Sequence, residues 1–339
     1  MKTIWPAEWE KHKAAWMIWP MRKSIWPDIE KAYAVYAKIA NLISEYEPLK
    51  LIISNEMHVL AKRYLSSAIE CIDYGCDDSW ARDTMPVFIF QDQKLQALNF
   101  QFNAWGEKFH PFDADQRLKP FITTKENIPA QTINFVLEGG AIHSNGNGVL
   151  LTTKECLLNP NRNPLKSQKD IENQLMASLN VNRQLWLPFG IDGDDDTDGH
   201  VDNVACFANQ KTILIQSCYT RHDPNFIRHQ ANMEYLATYA NDMDIIEIDQ
   251  PQKRLFNGSS LALSYLNFYL CNEAVIMPSF NDKRLDLNAK AILQEQFPHR
   301  HIHQINALDL IVGGGGIHCI TMQQPDPAAF YTNNPGVLQ

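Results

Sequence analysis

The sequence has no C-x-x-C pair among its seven cysteines, Cys71, Cys76, Cys156, Cys206, Cys218, Cys271 and Cys319. An odd number without short pairs supplies neither a zinc ribbon nor a disulfide framework, and suits a reducing compartment. Long apolar runs are absent too. Nothing approaches the ~20 residues of a membrane span, and Met1 to Pro6 lack the apolar core of a signal peptide. Basic residues are in deficit, 30 Lys and Arg against 39 Asp and Glu, for a net charge of −9. That argues against nucleic acid or an anionic membrane as partner and favours a cationic ligand. No stretch rich in Pro, Gly or Ser divides the 339 residues. The expectation is one cytoplasmic α/β domain over residues 1–339, with the oligomeric state, a homodimer included, left open.

What the sequence does have is a glycine run followed by a thiol. Leu310-Ile311-Val312 reads as a buried strand, Gly313 to Gly316 follow, and Ile317-His318-Cys319-Ile320-Thr321 comes next. Four glycines forfeit side-chain packing, which a need for unusual backbone angles or close backbone approach explains. Cys319, presented on a strand after that turn, suggests a nucleophile with room for substrate. The competing reading is a small buried hydrophobe.

The chain also repeats itself. Residues 4–20, with Trp5, Trp9, Trp16 and Trp19, read as an extended leading segment. Ile29, Tyr33, Tyr36, Ala40 and Ile43 after Pro27 keep helical spacing. A strand over 49–54, a helix over 56–67, a strand over 71–74 and a hairpin of 87–90 with 95–100 follow. The same order returns as a helix over 169–179, a strand over 184–187, an acidic loop, and a hairpin of 204–208 with 212–216. It returns again as a hairpin of 267–271 with 274–278, a helix over 284–297 and a strand over 301–305. This is a repeating module. Leu137-Glu138-Gly139-Gly140-Ala141-Ile142-His143-Ser144 echoes Gly313–Cys319, with Ser144 in the place of the thiol. Stacked around an axis, such units would bring their loops to one end.

Three loops carry acids or histidine: Asp77 to Asp83, Glu138-Gly139-Gly140, and Asp192 to Asp202. Strand alternation would place His200 and Asp202 on one face. A carboxylate favours the imidazolium, which near Cys319 would lower the thiol pKa. Asp194, Asp196, Asp198 and Gly199 fit the start of an EF-hand, but position 12 is Ala205, so no EF-hand is expected, while weak calcium binding of another kind stays open. His299, His301 and His303 read as surface residues of a strand. A Cys-His-carboxylate set also fits cysteine proteases. Several carboxylates around the thiol, however, would repel a carboxylate substrate and grip a guanidinium, whose N–H donors match two carboxylates.

At these residues the chain resembles the agmatine deiminases of the guanidino-group-modifying superfamily, which includes peptidylarginine deiminases. The likeness runs through Pro6-Ala7-Glu8-Trp9-Glu10, Trp16-Met17-Ile18-Trp19-Pro20, Asp78-Ser79-Trp80-Ala81-Arg82-Asp83, Phe102-Asn103-Ala104-Trp105-Gly106 and Val136 to Gly140. It continues through Leu151-Thr152-Thr153, Asn159-Pro160-Asn161-Arg162-Asn163-Pro164, Asp198-Gly199-His200-Val201-Asp202 and Gly313 to Gln324. The chain departs from the family pattern at Met85, where glycine is usual, and at Met322, an added residue. The resemblance implies a five-bladed pseudosymmetric α/β propeller, the pentein fold. It implies Cys319 as nucleophile, His200 as general acid/base, Asp83 and Asp202 as guanidinium-binding carboxylates, and Glu138 as a further site acid. Trp80, Trp105, Asp198 and Gly315 are the candidate substrate contacts. The implied reaction is hydrolysis of agmatine to N-carbamoylputrescine and ammonia, without cofactor or metal. Peptidyl-arginine, another guanidino compound and a non-catalytic binding module are the alternatives.

Overall fold

The computed structural model describes residues 3–338; residues 1, 2 and 339 of the expected domain lie outside the described residues. One module occurs five times: two antiparallel strands, a helix, then a strand returning parallel to the second. Val87–Gln91 and Lys94–Gln101 pair antiparallel, and Ala130–Val136 returns parallel after the helix Asp113–Lys125. Ile142–Ser144 and Val149–Thr153 are joined by Arg183–Leu187 after Gln168–Leu179. Ala205–Phe207 and Thr212–Ser217 are joined by Asp244–Asp249 after Pro224–Tyr239. Tyr269–Leu270 and Ala274–Ser279 are joined by His301–Asn306 after Lys283–Gln296. The fifth module is split between the chain ends. Thr321–Pro325 pairs with His12–Ile18, and Leu49–Ile53 returns after Ile29–Ser44. These are separate mixed sheets, with no closed sheet among the described residues.

Local chemistry explains the elements. Asp28 caps the helix Ile29–Ser44 by accepting from the backbone N–H groups of Glu30 and Lys31. The stripe Tyr33, Tyr36, Ala40 and Ile43 is buried, as the helical spacing requires. Ser167 and Asp170 close a capping box on Gln168–Leu179.

Four local expectations change. The leading segment is not merely extended: His12–Ile18 is a central strand, flanked by Thr321–Pro325 and Leu49–Ile53, with Trp16 and Trp19 fully buried. The helix after Ser54 covers only Asn55–Ala61, because Asn41 captures the following backbone through Tyr64 O and Ser66 N. Leu310 and Ile311 belong to a short helix, Leu308–Ile311, started by the Asn306 side chain accepting from Leu308 N–H. His200-Val201-Asp202 enters a single 3₁₀ turn, Val201–Asn203, rather than a strand. Among the described residues no helix is long and apolar enough to cross a membrane.

Candidate active site

Each module places one polar residue just ahead of its first strand: Asp83, Glu138, Asp202, Asn267 and Cys319. All five are buried, and contacts link them. Asp83 Oδ1 accepts from Gly140 N–H at 2.9 Å, and Asp83 Oδ2 lies 3.9 Å from His200 Nδ1. A Cβ on Gly140 would stand 2.6 Å from His200 Nδ1, 3.0 Å from Asp202 Oδ2 and 3.1 Å from Asp83 Oδ1. The missing side chain, in a third module, is what lets three ionisable groups from two other modules converge.

Cys319 does not sit on a strand; it ends a turn whose next residues begin Thr321–Pro325. Its Sγ lies 3.7 Å from Asp202 Oδ2 and accepts a hydrogen bond from Asn267 Nδ2 at 3.3 Å. Burial pushes the Cys319 thiol well above its usual range, and Asp202 and Asp83 push the same way against the Gly316 N–H and Asn267. The expected lowering by a nearby imidazolium is therefore outweighed, first by burial and then by the two carboxylates.

Asp202 is anchored from behind. His318 Nδ1 donates to Asp202 Oδ2 at 2.8 Å, and His318 Nε2 donates to both oxygens of Glu8 at 3.0 Å. With a carboxylate at each ring nitrogen, the imidazolium satisfies both. Burial and Arg82 work against that charge, but Glu8 and Asp202 prevail and raise the His318 pKa. Burial alone would raise Asp202; the His318 hydrogen bond and the charges of His318, His200 and Arg82 instead hold it low. Asp202 Oδ1 is left buried without a hydrogen-bond partner among the described residues. An ionised oxygen so placed calls for a donor from a ligand.

His200 is fully buried, which would disfavour its charge, yet Asp83, the neighbouring Cys156 and Asp202 hold its pKa well above the ordinary value. Asp194 fixes its backbone by accepting from His200 N–H at 3.0 Å. Glu138 Oε1 accepts from Arg162 Nε at 2.6 Å, while its Oε2 has no hydrogen-bond partner among the described residues.

The expected substrate contacts divide. Gly315 abuts the thiol: a Cβ there would stand 2.5 Å from Trp80 Cζ3 and 3.1 Å from Cys319 Cβ. Trp80 thus walls the site beside the glycine loop. Trp105 is turned inward by a left-handed turn in which Ala104, Trp105, Gly106 and Glu107 all have positive φ. Such angles cost a non-glycine residue about 1 kcal/mol or more, and here Asn103 locks them through Gly106 N–H and Asn161 O. The turn aims Trp105 Nε1 at Asp83 Oδ2, 2.9 Å away. Asp198 faces protein instead of substrate: Lys108, Arg162 and Asn161 occupy its oxygens at 2.8, 2.6 and 3.0 Å.

Asn203 and Gly315 line a cavity of about 340 Å³ together with Ile25, Phe109, Asp194, Asp195 and Asp196. The two departures from the family pattern pack behind the site. Met85 and Met322 belong to the core around Trp16, with Met322 Sδ accepting from Arg82.

Sequence reasoning gave no role to Glu8, His318, Asn267, Asp194 or Cys156. The module rule would have found Asn267, which stands ahead of the fourth hairpin as Cys319 stands ahead of the fifth. The acidic run does not form an EF-hand, since Asp194 binds Thr197, His200 and Asn203 while Asp198 binds cations of the chain. His303 accepts or donates to Tyr46 OH, and His301 is exposed. Among the described residues, the one grouping with metal-ligand spacing is Glu138, Cys156 and His200.

Known proteins resemble the chain over nearly all of its length. A family model described as Porphyromonas-type peptidyl-arginine deiminase matches residues 4–325. An agmatine deiminase of Pseudomonas aeruginosa is 37% identical over 355 residues, covering 95% of each chain. The structure of the agmatine deiminase of Enterococcus faecalis superposes with a TM-score of 0.90 at 30% identity, covering 96% of each chain. A cysteine-to-serine variant of the C. jejuni agmatine deiminase with substrate bound gives 0.91 at 27%, covering 96% of this chain and 97% of that one. With the matched residues containing every group placed around the thiol, the chain belongs to the Porphyromonas-type peptidyl-arginine deiminase family.

Proposed function

We propose that the protein is an agmatine deiminase, a hydrolase of linear amidine C–N bonds that converts agmatine and water to N-carbamoylputrescine and ammonia. The observation that carries this reading is the unpartnered Asp202 Oδ1, buried beside a thiol that the surrounding carboxylates keep protonated. A guanidinium between Asp83 and Asp202 supplies the missing donors and neutralises the two charges that oppose the thiolate. The Cys319 thiol proton passes to solvent, and the thiolate Sγ adds to the guanidinium carbon, held over it by the two carboxylates. His200 protonates the departing ammonia, leaving an amidino thioether. His200 next takes a proton from water, whose oxygen adds to the same carbon; the C–S bond breaks and the ureido product leaves. Glu138 stands beside His200 to bind and orient.

Agmatine is favoured over free arginine because the two arginines of the site motifs are already engaged by protein groups rather than offered to an α-carboxylate. Arg162 is engaged by Glu138, Asp198 and Thr197, and Arg82 lies behind the thiol against Glu8 and Gln323. The cavity beside Gly315 is edged by Asp195 and the exposed Asp196, suited to a distal amine. The family description favours a second reading, peptidyl-arginine, whose backbone hides that carboxylate. Ile25 and Phe109 are among the residues that line this cavity. Ammonia release from agmatine, arginine and a blocked arginine peptide, measured side by side, tests both. Agmatine should exceed arginine by at least about a hundredfold in kcat/KM. Equal efficiency on the peptide would overturn the agmatine assignment.

We further propose that the five modules form a five-bladed α/β propeller as a single catalytic domain. The support is that every module delivers one residue to the same site.

A further inference from the structure

Beside the imidazole of His200 lies Cys156, a buried thiol the reaction above does not use. Glu138, Cys156 and His200 each offer one ligand atom, all within 4.8 Å of one another. The three side chains are buried. His200 Nε2 and Glu138 Oε2 have no hydrogen-bond partner among the described residues, and both belong to this group. Cys156 is held by the short helix Lys154–Leu157, where the Thr153 hydroxyl oxygen accepts from Cys156 N–H.

We propose that Glu138, Cys156 and His200 form an inhibitory Zn²⁺ site that captures the general acid/base. Thiolate, imidazole and carboxylate are the ligand types of zinc, and three protein ligands leave a fourth position for water. Tetrahedral zinc at ~2.0–2.3 Å from each ligand needs donor atoms roughly 3.5 Å apart. The trio therefore has about 1 Å to close, within reach of small side-chain rotations. Binding forms Zn–S, Zn–N and Zn–O bonds; the thiol proton, and the imidazole proton at the ligating nitrogen where present, leave to solvent. A dication with one thiolate and one carboxylate is neutral, so Arg162 on the other oxygen of Glu138 does not oppose it. Because all three ligands are buried, the ion enters only as the site opens, and inhibition develops slowly. Metal binding stands by itself; its inhibitory consequence rests on the role proposed for His200.

The test separates the two. In a full-length Cys319→Ser variant, which lacks the candidate nucleophile, Co²⁺ should bind with a thiolate charge-transfer band that one equivalent of Zn²⁺ removes. Adding Cys156→Ala should abolish the band. In the enzyme with Cys319 intact, Zn²⁺ should inhibit agmatine turnover over time and EDTA should restore it. Relative to its own metal-free rate, Cys156→Ala should be at least tenfold less sensitive to Zn²⁺. A band or an inhibition unchanged by Cys156→Ala would overturn the proposal, placing the metal on another thiol or on the surface. Should that variant not fold, anomalous scattering at the zinc edge from Cys319→Ser crystals decides, with a peak expected among the three side chains. A peak elsewhere, or none, also overturns it. If agmatine is not turned over at all, the assigned function fails while the cobalt and diffraction readings still judge the site.

Discussion

Replacing Asp202 by asparagine should produce a poorer enzyme with a more reactive thiol. Asp202 Oδ2 stands 3.7 Å from Cys319 Sγ, with both groups buried. At that distance and an effective dielectric near 20, a carboxylate and a thiolate repel by about 4 kcal/mol. His318, 2.8 Å from the same oxygen, offsets part of that field. Half of the repulsion, about 2 kcal/mol, is a factor of at least about ten in the thiolate population. The carboxylate raises the thiol pKa, so removing its charge lowers it. At any pH below both values, the thiolate fraction of Asp202→Asn is then larger by at least about tenfold.

Neutral iodoacetamide reads that fraction directly. Labelling of Cys319, followed by mass spectrometry at pH 8, should be about tenfold faster in Asp202→Asn than in the unchanged protein. The same substitution removes a guanidinium partner, worth about 2–5 kcal/mol for a desolvated pair, so kcat/KM on agmatine should fall by on the order of thirtyfold or more. Opposite movement of the two rates is the signature. Slower or unchanged labelling together with lost turnover would mean that Asp202 only supports the fold, and the charge argument would fail.

Three further outcomes follow from the same geometry. Cys319→Ser should lose nearly all turnover while remaining folded, and haloacetamidine should label Cys319 before the other six cysteines; labelling elsewhere with an active Cys319→Ser contradicts the covalent step. Gly140→Ala should fold yet lose at least about a hundredfold in kcat, because its methyl group would enter the space shared by His200, Asp202 and Asp83. Glu8→Gln should destabilise the protein at neutral pH by about 3 kcal/mol, since it strands buried His318 and Arg82. Burial would raise Glu8, but Arg82, His318 and His143 hold it well below 4.5, so its contribution is full above that value and drains away as pH falls through the folded pKa. The melting-temperature gap between the two proteins should therefore narrow in acid; a gap independent of pH would remove the ion pair from the explanation.

Much of this site could be read from sequence because its parts carry distinctive chemistry. A thiol after four glycines and an imidazole two residues from a carboxylate are conspicuous, and the recurrent hairpin, helix and strand announced the module. What stayed hidden depends on contacts across the chain. Glu8 meets His318 because Thr321–Pro325 pairs with His12–Ile18, a contact between the two ends. Asn267 has no titratable group, so only its place ahead of a hairpin distinguishes it. Asp198 and Asp202 look alike in sequence; Lys108 and Arg162, far from both along the chain, decide that Asp198 faces inward to the protein. Leu310-Ile311-Val312 is too short a run for periodicity to separate helix from strand, and in the structure Leu310 and Ile311 end the helix Leu308–Ile311.

The charge of the substrate explains why a cysteine nucleophile can rest in so acidic a site. A thiolate exposed to every small electrophile would be alkylated or oxidised, whereas here burial, Asp202 and Asp83 keep the resting sulfur protonated. On the proposed reading, only a ligand that brings positive charge between those two carboxylates lifts the restraint, so binding and activation are one event. A neutral amide or ester leaves the carboxylates unpaired and the thiol unactivated, which separates this site from a cysteine protease with the same residue types. Hydrolysis then erases the charge that admitted the substrate: the guanidinium becomes a neutral ureide. Asp83 and Asp202 lose their counter-ion, the ureide offers weaker hydrogen bonds than a cation does, and the sulfur is again held as thiol. The same two carboxylates that select and activate the substrate therefore favour release of the product.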